Sequence, residues 1–158
     1  MEERILVPLD GSKIGEAALP YVEELVSKLL PEVKVEITLL QVVSSLTHYV
    51  VAGEASTRVP YTEEEMEQTK KKAMDYLEKM SEAIRGKGAS VSAKVAVGNA
   101  AEEIIKAADE INADMIAMST HGRSGLSRWA FGSVTDKVLR GGRKPVLVVR
   151  VPKETEKS

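Results

Sequence analysis

The segment from Met118 to Arg140 combines glycines, hydroxyl side chains and cations in an order that suits a phosphate. Gly132-Ser133 precedes a stretch with helical spacing, so the first backbone N–H groups of that helix have no partner within it. Those donors and the positive end of the helix dipole favour an anion. Gly122, which has no Cβ, lets the backbone approach a ligand closely. The segment therefore offers anion binding, although Gly-Ser before a helix can also be only a cap.

Hydroxyl and guanidinium groups flank these glycines and would add donors for the same anion. The hydroxyls belong to Ser124, Ser133 and Thr135, and the cations are Arg123 and Arg128. Two standard phosphate motifs are missing from the sequence. No G-x-G-x-x-G follows the first strand, and no G-x-x-x-x-G-K-[ST] occurs. Their absence argues against a dinucleotide oxidoreductase and against a P-loop.

A second group of polar residues follows the first apolar run, in Pro8-Leu9-Asp10-Gly11-Ser12. We expect Asp10 to orient this turn, to hydrogen-bond a ligand, or to form an Asx-turn before the first helix. No second carboxylate accompanies it, so no metal is assigned to it. His121 invites a catalytic role, but no acidic partner lies nearby in the sequence. We therefore assign no catalytic residue and no metal ligand.

Short apolar runs alternate with stretches of helical spacing throughout the chain. The order βαβαβαβαβ predicts a parallel sheet with helices on both faces, joined by right-handed crossovers. We expect a doubly wound five-stranded α/β sheet in the order 3-2-1-4-5. Ligands bind beyond the carboxyl ends of the strands where that order reverses, so both polar segments would line one crevice. The predicted strands cover residues 4–10, 33–43, 89–97, 113–119 and 144–151.

Helix signals separate these strands. The first helix is predicted over Ser12–Leu30, with Ser12 as its N-cap and Tyr21 on its buried face. Residues 44–61 show no clear period and are interpreted as a long loop, which is uncommon in a compact domain. The last helix follows the opening glycines and covers Ser133–Arg140.

Two capping boxes mark the remaining helices. Thr62 and Glu65 open the second helix, which extends to about Arg85. Asn99 and Glu102 have the same spacing at the start of the third. The many charges of the second helix are interpreted as a solvated face.

Composition limits the classes of protein that fit. The chain has 158 residues, which predicts one domain (1–151) and a polar tail (152–158). A net charge of -2 and 4% aromatic residues argue against duplex and single-stranded nucleic acid. The absence of cysteine excludes disulfides and thiol chemistry. No signal pattern or membrane-length apolar run is present, so we expect a cytoplasmic protein without a membrane partner.

The opening segment resembles the nucleotide-binding motif of the universal stress protein family, G-x-x-G followed by nine residues and then G-[ST]. Here nine residues, Arg123 to Phe131, separate Gly122 from Gly132-Ser133. The likeness continues in "ILVPLDGS", "TLLQVV", "GNAAEEI" and "KPVLVVR", so that it spans essentially the whole chain. Ser119 stands where the first motif glycine is expected.

The resemblance implies an adenine nucleotide alpha hydrolase-like fold and a dimeric, ATP-binding module that senses or signals nucleotide state in the stress response. It implies ATP with Mg²⁺ or Mn²⁺, the ion being held mainly by the phosphates. It also implies a homodimer through antiparallel pairing of the last strand, which is itself an apolar edge that must be paired or blunted. The alternatives are a nucleotide-free dimeric scaffold, a binder of AMP or cyclic AMP, and a slow ATPase.

The resemblance also implies where the nucleotide lies. Adenine would lie near Val42 and the end of the first strand, and ribose near the end of the fourth. The phosphates would lie on the backbone around Gly122 and Gly132. The implied cofactor-binding residues are Pro8, Leu9, Asp10, Val42, Met118, Ser119, Thr120, His121, Gly122, Arg123, Ser124, Gly132, Ser133, Val134 and Thr135.

Overall fold

Strands and helices alternate along the chain. A computed structural model describes residues 1–29, 31–43, 47–52, 55–120 and 132–151, with side chains everywhere except at 47–52 and 55–60. The elements in chain order are β1 (Glu2–Pro8), α1 (Leu19–Leu29), β2 (Lys34–Val43), β3 (Thr47–Ala52), β4 (Ala55–Pro60), α2 (Glu63–Arg85), β5 (Ser90–Val97), α3 (Ala100–Glu110), β6 (Met115–Ser119), α4 (Ser133–Gly141) and β7 (Val146–Val149).

The main sheet has five parallel strands in the order β5-β2-β1-β6-β7. Counted without β3 and β4, this is the predicted order 3-2-1-4-5, which is confirmed. β1 and β6, the strands between which the order reverses, pair directly, with Ile5 opposite Met115. The strand ends that carry the two polar segments are therefore neighbours.

Helices cover both faces of the sheet. Each strand contributes side chains to both cores, because its successive side chains point to opposite faces. In β1, Ile5 and Val7 belong to the core packed against α1 and α2, whereas Leu6 belongs to the core against α3 and α4. In β2, Leu39 and Leu40 divide in the same way. Both faces are thus apolar, which explains the nearly continuous hydrophobic runs.

The helix caps agree in part with the prediction. Thr62 and Glu65 form the complete capping box that opens α2. At α3 the Asn99 side chain accepts a hydrogen bond from the Glu102 backbone N–H at 3.1 Å, which is one half of the predicted box. In the ranges described above, no helix is both long enough and apolar enough to cross a bilayer.

The first helix begins later than predicted. A 3-10 turn at Gly15–Ala18 leads into α1, so Ser12 lies before the helix. Its hydroxyl donates to Asp10 and accepts from the Gly15 backbone N–H, and the intervening residues form a turn. Tyr21 was also predicted on the wrong face and is 56% exposed. Its neighbour Val22 is fully buried, and a step of one residue rotates a side chain about 100° around the helix.

The interpretation of residues 44–61 as a loop was wrong. Two strands, β3 and β4, form an antiparallel hairpin in which Thr47 pairs with Pro60 and Ala52 with Ala55. Only Gly53 and Glu54 separate the strands, a spacing typical of a tight hairpin. The run from Thr47 to Val51 is rich in β-branched and aromatic residues, which favour strands, but it has no clear alternation.

Candidate functional site

A cleft of about 420 Å³ opens at the carboxyl ends of β1, β2 and β6. The β1–α1 connection forms one wall, and the end of β6 with the start of α4 forms the other. The end of β2 and the start of α3 close the cleft between them. The lining residues are Pro8, Leu9, Asp10, Gly15, Leu40, Gln41, Val42, Ala100, Ile104, Met118, Ser119, Thr120, Gly132, Ser133, Val134 and Thr135.

The β1–α1 wall is held by hydrogen bonds within its own turn. Asp10 Oδ1 accepts from the Ser12 backbone N–H at 2.9 Å, which is the Asx-turn expected for this aspartate, and from the Ser12 hydroxyl. Ser12 Oγ accepts in turn from the Gly15 backbone N–H at 3.0 Å. A Cβ at position 15 would collide with the Asp10 carboxylate, so a larger residue there would push that side chain away from Ser12. Hydrogen bonds within the turn therefore hold the shape of this wall.

A contact from α2 supports the same wall from behind. The Tyr76 hydroxyl donates to Glu16 Oε2 at 2.8 Å and so ties α2 to the 3-10 turn. Burial raises the pKa of the Tyr76 hydroxyl far above its usual value, and the adjacent Glu16 carboxylate adds to the effect. Tyr76 therefore stays a neutral donor throughout the physiological range.

The β6–α4 wall brings backbone donors to the cleft. The Gly132 backbone N–H donates to the Thr120 carbonyl at 2.8 Å, and the Thr135 hydroxyl donates to the Ser119 carbonyl at 3.2 Å. A Cβ at position 132 would lie 2.8 Å from that Thr120 oxygen, so only glycine fits without a shift. These contacts fix the start of α4 against the end of β6. The next backbone N–H groups, at Ser133, Val134 and Thr135, have no partner within the helix.

Two polar side-chain atoms of the cleft residues are buried without a hydrogen-bond partner in the described part of the chain: Gln41 Oε1 and Thr120 Oγ1. Thr120 as a whole is only 5% exposed. Most buried polar groups in proteins are paired, so such atoms call for an explanation. Both occur at the ends of strands that line the cleft.

Ser119 occupies the position of the expected first motif glycine without backbone strain. It is the last residue of β6 and pairs with Val149 of β7. Among the described non-glycine residues, the positive φ angle is at Asn112, not at Ser119. The backbone at this position thus needs no glycine, and the substitution adds only a Cβ and a hydroxyl to the cleft wall.

The cleft brings together all of the predicted site residues that fall within the described ranges. They come from three separate strand ends and from the start of α4. His121, Gly122, Arg123 and Ser124 lie outside the described residues, as do Arg128 and Phe131. The lining residues that sequence reasoning missed are Gly15, Leu40, Gln41, Ala100 and Ile104.

The cleft in its described part offers little to a metal ion. No group of three or more His, Asp or Glu residues in the described ranges could hold one. Asp10 is the acidic residue that lines the cleft, and its Oδ1 is already engaged by Ser12. The donor set consists mainly of backbone amides and hydroxyls, which suits an anion better than a cation.

The doubly wound sheet and a cleft at its reversal point define a nucleotide hydrolase-like α/β domain. A family model described as the universal stress protein family matches residues 1–150. The chain belongs to the universal stress protein family.

Known universal stress proteins are similar to this chain over nearly their whole length. The universal stress protein MJ0577 of Methanocaldococcus jannaschii is 31% identical, with 95% of this chain and 96% of the relative covered. The universal stress protein YxiE of Bacillus subtilis is also 31% identical, with 95% and 100% covered. The solved structure of MJ0577 has a TM-score of 0.75 at 28% identity and covers 96% of this chain and 97% of its own.

Proposed function

We propose that this protein is a cytoplasmic, dimeric ATP-binding module that senses or signals nucleotide state in a stress response. The observation that carries the proposal is the β6–α4 wall. There, Gly132 packs against the Thr120 carbonyl and leaves the amides of Ser133, Val134 and Thr135 at the cleft without helical partners. A helix start of this kind favours a phosphate group.

The positions of the apolar surface and of the backbone donors in the cleft fit one orientation of a bound nucleotide. We place the base at the end of β2, where Val42 and Leu40 offer apolar surface beside Pro8 and Leu9. The phosphates then lie at the start of α4, and the ribose lies between them along Met118–Thr120. A volume of about 420 Å³ falls within the range of about 300–1,000 Å³ that is common for small-ligand sites.

Proteins of the same fold support the choice of an adenine nucleotide. A universal stress protein from Arabidopsis thaliana was solved with AMP bound, and its TM-score to this chain is 0.65 at 17% identity. Another universal stress protein was solved in complex with cAMP. Both share the fold with this chain, so AMP and cyclic AMP are the competing ligands to test against ATP.

We further propose that a divalent ion, Mg²⁺ or Mn²⁺, enters with the nucleotide. The described part of the cleft has no acidic cluster for it, so the phosphates supply most of its ligands. The ion screens the charge of the triphosphate. Affinity for ATP should therefore fall when the ion is chelated, whereas affinity for AMP should change little.

Isothermal titration of the purified protein with ATP and MgCl₂ tests the proposal. We expect a saturable binding isotherm with one nucleotide per chain, and weaker binding of ATP in EDTA. AMP and cyclic AMP, titrated in parallel, would each replace ATP as the proposed ligand if they bound more tightly. No heat of binding up to millimolar ATP would reject the function.

We also propose a homodimer that pairs through β7, which ends the sheet in the described part of the chain. The carbonyls of Pro145 and Val149 accept hydrogen bonds from the backbone N–H groups of Ile116 and Thr120, respectively. Backbone groups alternate in direction along a strand, so the Val148 N–H points to the open edge. An apolar edge of this kind is blunted or paired in stable proteins.

Val148→Pro removes that outward N–H and leaves the bonds to β6 in place. We expect the variant to sediment as a monomer under conditions in which the unchanged protein sediments as a dimer. Val148→Thr keeps the N–H and the branched shape, and it should remain dimeric. A dimeric Val148→Pro protein would show that the copies meet elsewhere.

Ser119 favours one second candidate, a nucleotide-free dimeric scaffold of the same fold. Its side chain adds bulk where the family pattern has glycine. The unstrained backbone at Ser119 and the retained Gly132 both favour the nucleotide-binding alternative. The titration with ATP separates the two, because a scaffold would give a dimer and no binding heat.

A further inference from the structure

The sheet ends in β5 on the side opposite β7, in the part of the chain that the structure describes. β5 has eight residues, twice as many as β7. The Gly98 backbone N–H, just beyond β5, donates to the Val43 carbonyl of β2 at 3.0 Å. Because backbone groups alternate in direction along a strand, every second residue of β5 points its N–H and C=O away from β2. This row of outward groups, the β5 edge, belongs to Val91, Ala93, Val95 and Val97.

Arg85 covers the first carbonyl of the β5 edge. It is the last residue of α2, and its Nη2 donates to the Val91 carbonyl oxygen at 3.2 Å. Its Nη1 lies 3.5 Å from Glu78 Oε2, an ion pair that favours this orientation of the guanidinium. A hydrogen bond from a charged donor is stronger than one from a neutral backbone N–H. A second strand therefore gains little by replacing Arg85 at this carbonyl.

Lys94 places a charge in the middle of the β5 edge. Its Nζ lies 2.7 Å from Glu110 Oε2, at the end of α3, so the ammonium group is held beside the strand. A lysine in an edge strand is one of the devices by which proteins prevent edges from pairing. The two cations thus act on different parts of one edge.

Two copies of the chain would pair along the β5 edge in antiparallel fashion, about a two-fold axis. The four outward residues are spaced evenly around Lys94, so the register that joins all of them puts Lys94 opposite Lys94 of the second copy. Like charges directly opposite each other are destabilising. In the same register the Val91 carbonyl accepts from Val97 of the second copy, but Arg85 already occupies that carbonyl.

We propose that Arg85 and Lys94 prevent a second copy of this chain from pairing along the β5 edge. Association through the sheet is then left to β7, whose residues Val146–Val149 are all uncharged. This inference goes beyond nucleotide binding and does not depend on it. It accounts for a homodimer that uses the shorter of the two edges.

A merely structural role for Arg85 makes a different prediction. Its bond to Val91 also ties the end of α2 to the start of β5. If this tie is all that the guanidinium provides, its removal lowers the free energy of unfolding and leaves the association state unchanged. The mass of the species in solution is therefore the informative quantity.

The test is sedimentation velocity over a range of protein concentrations up to millimolar. Arg85→Met keeps an unbranched stem without the guanidinium, and Lys94→Thr replaces the charge with a residue that favours strands. Together they should give species larger than those of the unchanged protein, growing with concentration. In a Val148→Pro background the same two changes should give a dimer. Its association should be at least about tenfold tighter than that of Val148→Pro alone, because two Val91 carbonyls become available.

Two controls isolate the β5 edge. Lys87→Met removes an exposed cation from the turn between α2 and β5 and should leave the association state unchanged. Val95→Pro removes an outward N–H of β5 and leaves the bonds to β2 in place. Added to the two changes, it should abolish the new association. Arg85→Met alone, folded by circular dichroism, should show a smaller gain and covers the case that the double variant fails to fold.

The outcomes are distinguishable. If both Arg85→Met and the double variant sediment like the unchanged protein, the inference fails and the β7 dimer is unaffected. If new species form but persist with Val95→Pro, the copies meet elsewhere and the inference fails. If Val95→Pro alone dissociates the unchanged protein, the β5 edge is already an interface, which also overturns it. New association that Val95→Pro abolishes supports the proposal, whether or not the unchanged protein pairs through β7.

Discussion

The two walls of the cleft differ in how far their polar groups are already satisfied. On the β1–α1 wall, Asp10, Ser12 and Gly15 bond one another, and Tyr76 bonds Glu16 behind them. On the β6–α4 wall, the start of the helix is fixed through Gly132, but the following amides have no helical partner. Thr120 Oγ1 is buried there without a partner in the described ranges.

This difference suggests that the two walls have different roles in ligand binding. A wall whose donors and acceptors are hydrogen-bonded to one another keeps its shape. Such a wall can present an apolar surface to a base. A wall with unpaired donors binds a charged ligand most favourably, because a hydrogen bond to a charged group contributes about 1.5–3 kcal/mol. Changes on the β6–α4 wall should therefore weaken ligand binding, whereas changes on the β1–α1 wall should mainly lower stability.

The largest effect is expected for Gly132→Ala. The new Cβ would lie 2.8 Å from the Thr120 carbonyl oxygen, so α4 must move away from β6. The amides of Ser133 and Val134 move with it. Loss of two hydrogen bonds to a charged phosphate corresponds to at least about a hundredfold weaker ATP binding, which titration calorimetry would measure.

Gly86→Ala is the matched control for this change. Gly86 caps the far end of α2 with a helical φ of -62°, and a Cβ there would meet only the Ala83 carbonyl oxygen at 3.8 Å. Affinity for ATP should stay the same in this variant. Equal binding by Gly132→Ala and Gly86→Ala would contradict the assignment of the phosphates to the start of α4.

Tyr76→Phe should have a smaller effect, and that effect should be on stability only. The change removes the donor to Glu16 and should cost about 1–3 kcal/mol of unfolding free energy, measured in urea at pH 8. ATP affinity should change by less than about twofold, because the Asp10–Ser12–Gly15 bonds remain. A large loss of affinity would show that the walls do not differ as described.

The same variant has a pH signature. The folded state raises the pKa of Tyr76, so the unfolded chain loses the Tyr76 proton first as the pH rises above about 10. The stability of the unchanged protein should therefore fall as the pH rises beyond about 10, because ionisation of Tyr76 then stabilises the unfolded chain. Tyr76→Phe should show a shallower fall. Parallel pH profiles for the two proteins would contradict the raised pKa.

The sequence predicted the sheet and most of the cleft because both depend on local patterns. Alternating apolar runs predict the strand order through the general rules for parallel sheets. Residues such as Asp10 and Gly132 follow strands or precede a helix, so their place at the carboxyl edge follows from their place in the chain. Their role in binding stays a prediction.

The features that sequence reasoning missed depend on packing between distant elements. Tyr76 meets Glu16 across 60 residues, and only the position of α2 over the 3-10 turn brings them together. Gln41 was passed over as one polar residue in an apolar strand, although a polar residue at the end of a buried strand was a usable signal. The β3–β4 hairpin has strand-forming residues but no periodicity that would separate it from a loop.

The smallest effect is expected for Ser119→Gly, which restores the glycine of the family motif on the β6–α4 wall. Ser119 already lies in the extended backbone of β6, so glycine relieves no strain there. We expect ATP affinity to change by less than about threefold and stability to fall by about 0.5–1 kcal/mol, because glycine is more flexible in the unfolded chain. Titration and urea unfolding would measure both. A gain of tenfold or more in affinity would mean that the serine side chain obstructs the nucleotide. The space beside Ser119, and not only the unpaired donors, would then limit binding at the β6–α4 wall.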